Sequence, residues 1–324
     1  MSNHILIVTK PDDEHAKCVH QALCERGHQS YLWQPQSFPV EQQQTFSFKD
    51  NNLVWSVKDK VFEWGEIDFD VVWLRRPKGP VLPENLHVGD IENVKHENLS
   101  FYKSLWPVIA PNARWVNHYY SAMAANSNIW QLKVAIEVGL EIPQTIFSNN
   151  PVDIKQFIAR FHDQEVIYKT LYPHVWFEDK NLRLCYSKPI SLDDLPSDVI
   201  LQSMPGIFQT KIHKSYEIRV TYLGGKIIAV KLLSQIHAKG LDDWRSIPTN
   251  ELSIALVQLP TKIEEKCRLL MTKLGLVFGC LDFIVSPKGE YYFLEVNEQG
   301  QFLWIKDIAP DIKMLDHFCD FILS

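Results

Sequence analysis

The sequence lacks the features that mark membrane, secreted and nucleic-acid-binding proteins. No apolar run approaches the roughly 18 residues of a membrane-spanning helix, and the N-terminus has no charged segment followed by a long apolar one. The 33 basic residues are outnumbered by 39 acidic ones, so the net charge of −6 gives no indication of binding to nucleic acid or to an anionic membrane. These absences predict a cytoplasmic protein with neither a nucleic acid nor a membrane as its partner.

Cysteine is scarce and unpatterned. No two of the six cysteines have Cys-x-x-Cys spacing, and most of them lie in apolar stretches. They are Cys18, Cys24, Cys185, Cys267, Cys280 and Cys319. Such cysteines are expected to be reduced and structural rather than part of a metal centre or a disulfide framework. An activated Cys or Ser motif is missing as well, which fits a mechanism that needs no covalent enzyme intermediate.

The chain opens with a predicted strand, helix and second strand. Residues 5–8 form a continuous apolar run, helical spacing of apolar residues follows up to Gly27, and residues 30–33 form another apolar stretch. This order is typical of a doubly wound nucleotide-binding unit, but the loop at residues 9–13 has no glycines to cradle a phosphate. The segment is therefore predicted to be an architectural layer rather than a dinucleotide site.

A later apolar strand, residues 71–74, ends in Arg75 and Arg76. Two alternatives stay open for this pair: the guanidinium groups face a cleft and bind carboxylates, or they donate to carbonyl groups of a loop. Periodicity also predicts a hairpin or edge segment over residues 53–61 and 63–64, and further helices and strands. The helices are expected at residues 92–105, 127–139, 154–161 and 263–274, and the strands at residues 114–117, 165–169, 207–212, 217–222 and 226–233.

The stretch from residue 281 to residue 304 carries the strongest pattern. Apolar and polar residues alternate on both sides of a Pro-Lys-Gly turn, which predicts a hairpin of two half-buried strands. A loop with an even number of residues puts Asp282 directly across from Glu295, whereas a three-residue loop puts Leu294 there instead. Asn297 lies two residues beyond Glu295 and is predicted to share its face.

Asp282, Glu295 and Asn297 carry the oxygen atoms of a candidate metal site. Carboxylate and amide oxygens that converge on one face are ligands that Mg²⁺ takes, with waters and phosphates in its remaining positions. The trio therefore indicates phosphoryl chemistry. The alternative is that these carboxylates simply face solvent from an antiparallel sheet.

Five motifs, taken in order, are similar to those of the ATP-grasp superfamily. They are GLEIPQT (139–145), FQTKIHKSYEIRV (208–220), DWR (243–245), LDFIVSPKGEYYFLEVN (281–297) and GQFLWI (300–305). Within that superfamily the chain most resembles the microviridin-type, or graspetide, peptide ligases. The Glu-Val-Asn signature belongs to the whole superfamily, whereas Asp-Trp-Arg together with Gly-Gln-Phe-Leu-Trp is more specific to the peptide ligases.

The resemblance covers nearly the full chain and implies a fold and a domain plan. The fold class is α/β (α+β), an ATP-grasp fold preceded by a Rossmann-like pre-ATP-grasp domain. The N-terminal domain is expected at residues 1–117. The central ATP-grasp subdomain, with the lysine strand and contacts to a leader peptide, is expected at residues 118–205. The C-terminal subdomain, with the magnesium and catalytic residues, is expected at residues 206–324.

The resemblance also implies roles for single residues around ATP and Mg²⁺. Asp282, Glu295 and Asn297 match the metal ligands. Arg219 matches the arginine at the γ-phosphate and the acyl phosphate. Arg245 is expected to be a second arginine at these groups. Guanidinium groups fixed there would stabilise the charge that builds on the phosphoryl oxygens.

Other positions match the nucleotide-binding residues of the family. Lys169 matches the lysine at the α- and β-phosphates, and Glu217 matches a ribose-binding carboxylate. The hinge, whose backbone groups pair with the adenine edge, is matched by Gln209, Thr210, Lys211 and Ile212. Some positions depart from the family pattern. Asn128 stands where the family has a second phosphate-binding lysine, Thr210 stands where it has a hinge glutamate, and Lys306 stands where it has an acidic residue.

The function implied is that of an ATP- and Mg²⁺-dependent carboxylate ligase. An Asp or Glu side chain of a ribosomally made peptide becomes an acyl phosphate, and a Ser/Thr hydroxyl or Lys amine then displaces phosphate to give an ester or an amide. A leader segment of the precursor peptide is expected to bind around residues 170–200, and a homodimer is left open. Two alternatives stay open: an amino-acid (glutamate-type) ligase acting on a protein or small carboxylate, and a catalytically weakened ATP-grasp module that only binds.

Overall fold

The computed structural model describes most of the chain, which divides into two compact units. The described residues are 2–50, 52–59, 63–65, 68–161, 163–171, 175–178, 181–184, 188–237, 240 and 244–324. Unit 1 comprises Met1–Met123, Gly275–Phe278 and Lys313–Ser324, and unit 2 comprises Ala124–Leu274 and Gly279–Ile312. Asp243 and parts of the expected leader-binding region lie outside the described residues. The three-domain plan stays a prediction.

Strands and helices follow one another along both units. The strands are β1 (His4–Val8), β2 (Gln29–Trp33), β3 (Gln43–Lys49), β4 (Asn52–Lys58), β5 (Glu63–Gly65), β6 (Val71–Leu74), β7 (Arg114–Val116), β8 (Thr145–Ser148), β9 (Val166–Lys169), β10 (Val175–Glu178), β11 (Asn181–Leu184), β12 (Lys188–Ile190), β13 (Gly206–Thr210), β14 (Tyr216–Leu223), β15 (Lys226–Leu232), β16 (Ile254–Val257), β17 (Phe278–Val285) and β18 (Tyr291–Asn297).

The helices include each one that the periodicity predicts, with ends shifted by a few residues. They are α1 (Glu14–Glu25), α2 (Ile91–Leu105), α3 (Tyr119–Ala125), α4 (Asn128–Glu137), α5 (Pro151–Arg160), α6 (Asp198–Ser203), α7 (Thr261–Lys273), α8 (Trp304–Ile308) and α9 (Met314–Leu323). In the part of the chain that the structure describes, none of them has the length and apolar character needed to cross a membrane.

Unit 1 contains a parallel sheet with the strand order β2-β1-β6-β7. Its central strand β1 is fully buried from Ile5 to Val8, as its continuous apolar run predicts for a strand covered on both faces. Ile5 pairs with Val71 of β6, and Leu6 pairs with Tyr31 of β2. The predicted opening of strand, helix and strand is therefore confirmed.

Helix α1 is fixed at both ends by residues that the sequence makes recognisable. Asp13 caps its N-terminus by accepting a hydrogen bond from the N–H of Ala16 at 3.2 Å, and Gly27 follows its last turn with φ +84°. Nε of Arg75 lies 3.3 Å from Oδ2 of Asp13, and both side chains are buried. Of the two alternatives for Arg75, the structure therefore favours a carboxylate, but one that the chain itself supplies.

A small antiparallel sheet, β3-β4-β5, is only partly indicated by the sequence. The predicted hairpin or edge segment corresponds to β4 and β5, which pair with each other. β3 is an additional strand that the apolar pattern does not reveal, because only Phe46 and Phe48 in it are large and apolar. Phe46 stacks on Trp55 of β4, whereas Phe48 is exposed.

Unit 2 contains two antiparallel sheets that carry the predicted site residues. One has the order β12-β9-β13-β8, with Lys169 at the end of β9 and Thr210 at the end of β13. The other has the order β16-β15-β14-β17-β18, with Arg219 on β14, Asp282 on β17 and Glu295 on β18. Three neighbouring strands therefore present the residues predicted for phosphoryl chemistry.

A buried amide in unit 1 joins the residue after β7 to the start of β17. Asn117 is 2 % exposed, and its Oδ1 accepts from the N–H groups of Val277 at 2.8 Å and Phe278 at 2.9 Å. Its Nδ2 donates to the carbonyl oxygen of Phe278 at 2.8 Å. These bonds matter because a buried backbone group without a partner raises the free energy of the folded state.

Replacing Asn117 by leucine is expected to destabilise the protein. N117L removes three hydrogen bonds and leaves buried backbone groups unpaired, which should lower the free energy of unfolding by about 3 kcal/mol. Urea denaturation measures this change. Asn149 is exposed and donates once to the carbonyl of Gln202, so N149A serves as the control and should cost less than about 1 kcal/mol. Equal effects of the two variants would contradict the role given to Asn117.

Candidate active site

Arg219 and Asp282 form a buried ion pair in the middle of the five-stranded sheet. Arg219 is 5 % exposed and Asp282 is 6 % exposed. Nη1 of Arg219 lies 2.8 Å from both carboxylate oxygens of Asp282, and Nη2 donates to the carbonyl oxygen of Gln301 at 3.1 Å. Because both charges are removed from water, each depends on the other for its stabilisation.

Strand β18 brings its carboxylate to Asp282 through a β-bulge. Near the turn, Phe283 pairs with Phe293, so the loop has an odd number of residues and not the even number on which the predicted pairing depended. Continued unchanged, this register would put Leu294 opposite Asp282. The register instead shifts by one residue, and Glu295 pairs with Asp282. The predicted facing pair is therefore present, but a bulge produces it.

The bulge also changes which residues of β18 are buried. Strict alternation predicts that Phe293 shares a face with Glu295 and Asn297, and this prediction is wrong, because Phe293 is buried together with Val296. The ring of Phe293 meets the ring of Phe283 edge-on, with 5.6 Å between their centres. One extra residue reverses the alternation, so β18 packs an aromatic ring and still turns its two polar side chains to the site.

Arg245 and Asn297 connect the two carboxylates. Nη2 of Arg245 lies 3.1 Å from Oδ2 of Asp282 and 3.0 Å from Oε1 of Glu295. Nδ2 of Asn297 lies 3.3 Å from each of the same two oxygens. The five residues predicted as metal ligands and catalytic arginines therefore form one cluster, which we call the carboxylate cluster. Its members are Arg219, Arg245, Asp282, Glu295 and Asn297.

Two tryptophans link Arg245 to the segment that follows β18. The ring centres of Trp244 and Trp304 are 5.2 Å apart. Nε1 of Trp304 donates to the carbonyl oxygen of Gln301 at 3.2 Å, and this is the carbonyl that Arg219 also binds. The two motifs that the sequence marks as specific to the peptide ligases are thus in contact with each other.

Burial and nearby cations shift the two carboxylates in opposite directions. Burial raises the pKa of Asp282 above its ordinary value, although Arg219 and Arg245 oppose this shift. Burial acts on Glu295 as well, but Arg245 and Lys169 outweigh it and hold the pKa of Glu295 below its ordinary value. Asp282 is enclosed, whereas the side chain of Glu295 is 32 % exposed. Neighbouring carboxylates with separated pKa values are typical of functional sites.

Lys169 lies close enough to Glu295 to act on its pKa, and it is bonded to the predicted hinge. Its Nζ donates to Oε1 of Gln209 at 2.8 Å. Nε2 of Gln209 in turn donates to Oγ1 of Thr145 at 2.8 Å. The structure thus brings the predicted phosphate-binding lysine together with both the hinge and the carboxylate cluster.

The predicted hinge begins at the end of β13, and part of its backbone is already bonded. The N–H of Thr210 donates to the carbonyl of Gln144 at 2.9 Å, and the N–H of Lys211 donates to the carbonyl of Glu165 at 2.7 Å. These two donors are used within the chain. The candidate partners for an adenine edge are therefore the backbone of Ile212 and the carbonyl groups of the hinge.

Glu217 forms a second buried ion pair at the start of β14. Its carboxylate binds Nζ of Lys214, and Oγ of Ser234 donates to Oε1 at 3.1 Å. Both charged side chains are buried. The sequence motifs do not single out Lys214, although a lysine three residues before a predicted site carboxylate is the signal that would find it.

Asn128 is the first residue of α4, as the predicted replacement for a phosphate-binding lysine at a helix start requires. Ser127 caps this helix by accepting a hydrogen bond from the N–H of Trp130 at 3.3 Å. The N-terminus of α4, which is the positive end of the helix dipole, therefore lies where the family pattern has a lysine. This partial positive charge can attract an anion in place of part of the missing lysine charge.

The oxygen atoms of the carboxylate cluster suit magnesium better than a transition metal. No group of three or more His, Cys, Asp and Glu side chains arranged to hold a metal occurs among the described residues. The trio offers two carboxylates and one amide, and Mg²⁺ uses few protein oxygens when phosphates and waters complete its shell. Asn297 turns its NH₂ group to both carboxylates here, and rotating the amide presents its oxygen instead.

Comparison with known proteins relates the whole chain to one group of enzymes. No protein-family model and no curated protein matches the sequence, but solved structures match its fold. A RiPP-associated ATP-grasp ligase of Chryseobacterium gregarium, in complex with ADP and a leader and core peptide, is 25 % identical with a TM-score of 0.88. The match covers 99 % of this chain and 96 % of that chain. The chain is a structural relative of the RiPP ATP-grasp ligases.

Two further structures share the fold over nearly the full length of the chain. Macrocyclase MdnC of Microcystis aeruginosa MRC, bound with precursor peptide MdnA, is 25 % identical with a TM-score of 0.85, and the match covers 99 % of both chains. The ATP-grasp ligase PsnB, complexed with minimal precursor, Mg and ADP, is 19 % identical with a TM-score of 0.74. That match covers 98 % of this chain and 97 % of that chain and shows a shared fold.

Removing Arg245 should raise the pKa of both carboxylates in the metal-free protein. R245M removes the guanidinium group that lies within 3.1 Å of both Asp282 and Glu295. Burial then raises the pKa of each carboxylate with less compensation from positive charge. Carboxyl ¹³C chemical shifts followed against pH measure both values. The pKa of Asp282 is higher in the folded protein than in the unfolded chain. Its contribution to the free energy of unfolding is therefore complete at low pH and falls as the pH rises through the folded pKa. In R245M this fall should extend to higher pH.

Lys155 supplies the matched control for this titration. It pairs with Asp198 at 2.6 Å, and both side chains are exposed on helices of the same unit. K155M should leave the pKa values of Asp282 and Glu295 unchanged. An unchanged pKa of Glu295 in R245M would contradict the electrostatic role of Arg245.

Proposed function

We propose that the protein is an ATP- and Mg²⁺-dependent ligase for a ribosomally made precursor peptide. Its substrate carboxylates are Asp or Glu side chains, which become acyl phosphates and are then joined to Ser/Thr hydroxyls or Lys amines. The carboxylate cluster is the observation that carries this proposal, because it places two carboxylates, one amide and two guanidinium groups at one position. Two matches over nearly the full length support it: a ligase solved with ADP and a leader and core peptide, and a macrocyclase solved with its precursor peptide.

The carboxylate cluster divides into metal ligands and positively charged groups. Asp282, Glu295 and Asn297 would hold Mg²⁺, which supplies charge neutralisation at the β- and γ-phosphates. Arg219 is buried, favours the ionised form of Asp282 and adds positive charge. The side chain of Arg245 is 44 % exposed, whereas that of Arg219 is 6 % exposed. In this proposal Arg245 turns from the carboxylates to the phosphoryl oxygens.

Both arginines act on charge that develops during the reaction. Negative charge grows first on the transferred phosphoryl group and then on the carbonyl oxygen of the tetrahedral adduct. The donors of Arg219 are already oriented by Asp282 and Gln301, so they need little reorganisation when this charge appears. The acyl phosphate forms on the substrate, so no nucleophile of the chain is consumed.

The remaining predicted residues bind the nucleotide in this proposal. Lys169 meets the α- and β-phosphates, and its bonds to Gln209 and its proximity to Glu295 support that role. Glu217 binds the ribose hydroxyls, and Ile212 pairs with the adenine edge. Lys214 fixes the carboxylate of Glu217 and belongs with this group.

The partner of the enzyme is a precursor peptide with a leader segment. The relative from Chryseobacterium gregarium was solved with a leader and core peptide, and MdnC of Microcystis aeruginosa MRC was solved with precursor peptide MdnA. We place leader binding on the central region around residues 170–200, as the sequence predicts. The cytoplasm is the proposed compartment, because the reaction consumes ATP and because Cys267, Cys280 and Cys319 are buried and belong to no disulfide.

Co-expression with a candidate precursor peptide distinguishes the proposal from its alternatives. A short open reading frame beside the gene, rich in Thr or Lys and in Asp or Glu, supplies the peptide. Intact-mass spectrometry should show the loss of one water for each ester or amide linkage. A gain of glutamate residues would favour the glutamate-type ligase instead. Unchanged mass without ADP release, with nucleotide still bound, would favour a module that only binds.

Replacing Asn297 by alanine tests the metal assignment with little risk to the fold. N297A removes one oxygen ligand and two long contacts, whereas replacement of Asp282 would leave the charge of Arg219 buried and unpaired. We expect kcat/KM for the peptide to fall by about 100-fold, since loss of a magnesium ligand impairs phosphoryl transfer. Steady-state ADP release measures the loss, and N149A is the control. Activity of N297A near that of the wild type would refute Asn297 as a ligand.

A further inference from the structure

Strand β18 lies at the edge of its sheet, so groups outside the sheet must bind its outward backbone. The N–H of Phe293 donates to the carbonyl of Glu141 at 2.8 Å. The N–H of Val296 donates to Oε1 of Gln131 at 2.8 Å. These outward N–H groups are three residues apart, whereas a regular strand presents them at a spacing of two residues. The contact of the Val296 N–H therefore depends on the bulge at Leu294.

Gln131 binds the one residue that lies between two ligands of the proposed metal site. It belongs to α4, is 3 % exposed and uses its whole amide. Oε1 accepts from the N–H of Val296, and Nε2 donates to the carbonyl oxygen of Val296 at 2.8 Å and to that of Ala125 at 2.7 Å. Val296 is flanked by Glu295 and Asn297, so both peptide groups that orient these side chains are held by Gln131.

We propose that Gln131 is a positioning residue for the metal site: it fixes the backbone of Val296 and thereby the spacing of Glu295 and Asn297. This inference rests on the proposed function, because it concerns magnesium and nucleotide binding by the carboxylate cluster. Gln131 touches neither the metal nor the nucleotide. Its effect is on geometry, and Mg²⁺ demands a nearly octahedral shell with short bonds, so small displacements of its ligands weaken binding.

Apolar packing alone does not fix these two side chains to that accuracy. Phe293 and Val296 are buried and select the bulged strand, but they leave the peptide groups of an edge strand without partners. Glu295 is also attracted electrostatically by Arg245 and Lys169, which lie on other elements. A rigid contact to the backbone between the two ligands resists that pull, which is how residues outside a metal shell orient those inside it.

The test replaces Gln131 by methionine and uses N117L as its matched control. Methionine keeps the length and volume of the side chain but loses all three hydrogen bonds. Asn117 is also a buried amide that binds backbone groups with three hydrogen bonds, in unit 1. Thermal denaturation should show that both variants lose stability. Isothermal titration calorimetry with ADP, at a series of Mg²⁺ concentrations, then measures the Mg²⁺ concentration at which ADP binding is half complete.

We expect Q131M to need about 10- to 100-fold more Mg²⁺ than the wild type, with ADP affinity in the absence of Mg²⁺ unchanged. N117L should need no more Mg²⁺ than the wild type. If Q131M behaves as N117L does, the positioning role is overturned while the proposed function stands. If the wild type itself shows no Mg²⁺-dependent binding of ADP, the proposed function fails and the positioning role with it.

Hydrogen exchange in the wild type tests the same contact if Q131M does not fold. The N–H of Val296 should exchange as slowly as the N–H groups within the β14-β17-β18 ladder, because Gln131 protects it. Exchange of Val296 at the rate of an open edge strand would overturn the role of Gln131. In a folded Q131M protein, faster exchange should be confined to residues 293–297.

Discussion

Asp282 and Glu295 face each other across β17 and β18, and the electrostatics of this pair govern the site. Two carboxylates held this close repel each other, and burial favours the protonated form of each. Arg219, Arg245 and Lys169 oppose that tendency, so two negative groups are surrounded by three positive ones. Such a cluster can receive a divalent cation together with the phosphates that the cation accompanies. The pKa values of the two carboxylates shift in opposite directions because burial dominates at Asp282, whereas Arg245 and Lys169 outweigh it at Glu295.

The backbone around this pair departs from regular sheet geometry in a way that serves the side chains. A regular β18 would have to bury Glu295 in order to bury Phe293, because residues two apart share a face. The bulge at Leu294 removes this conflict, and α4 and the loop after it bind the outward backbone of this edge strand. Helix α4, the bulged strand and the two carboxylates therefore form one structural unit of the site.

Much of this arrangement could be predicted from the sequence, because it rests on local patterns. The apolar run before Thr9, the helical spacing up to Gly27 and the alternation in β14 each give the correct element. The bulge could not be predicted, since Leu294 is apolar and suits either register. Gln131 gives no signal either, because a single amide in an amphipathic helix is indistinguishable from a solvent-facing one until its partner is known. Contacts between residues far apart in the sequence determine both the bulge at Leu294 and the burial of Gln131.

The central claim is that Asn297 and its two carboxylate neighbours bind the metal that accompanies the nucleotide. Paramagnetic Mn²⁺ in place of Mg²⁺ tests it most directly, because it broadens NMR signals within a short radius. With ADP present, one equivalent of Mn²⁺ should abolish the side-chain amide signal of Asn297 and leave that of Asn149 visible. An Asn297 signal that persists while Mn²⁺ and ADP are bound would contradict the account.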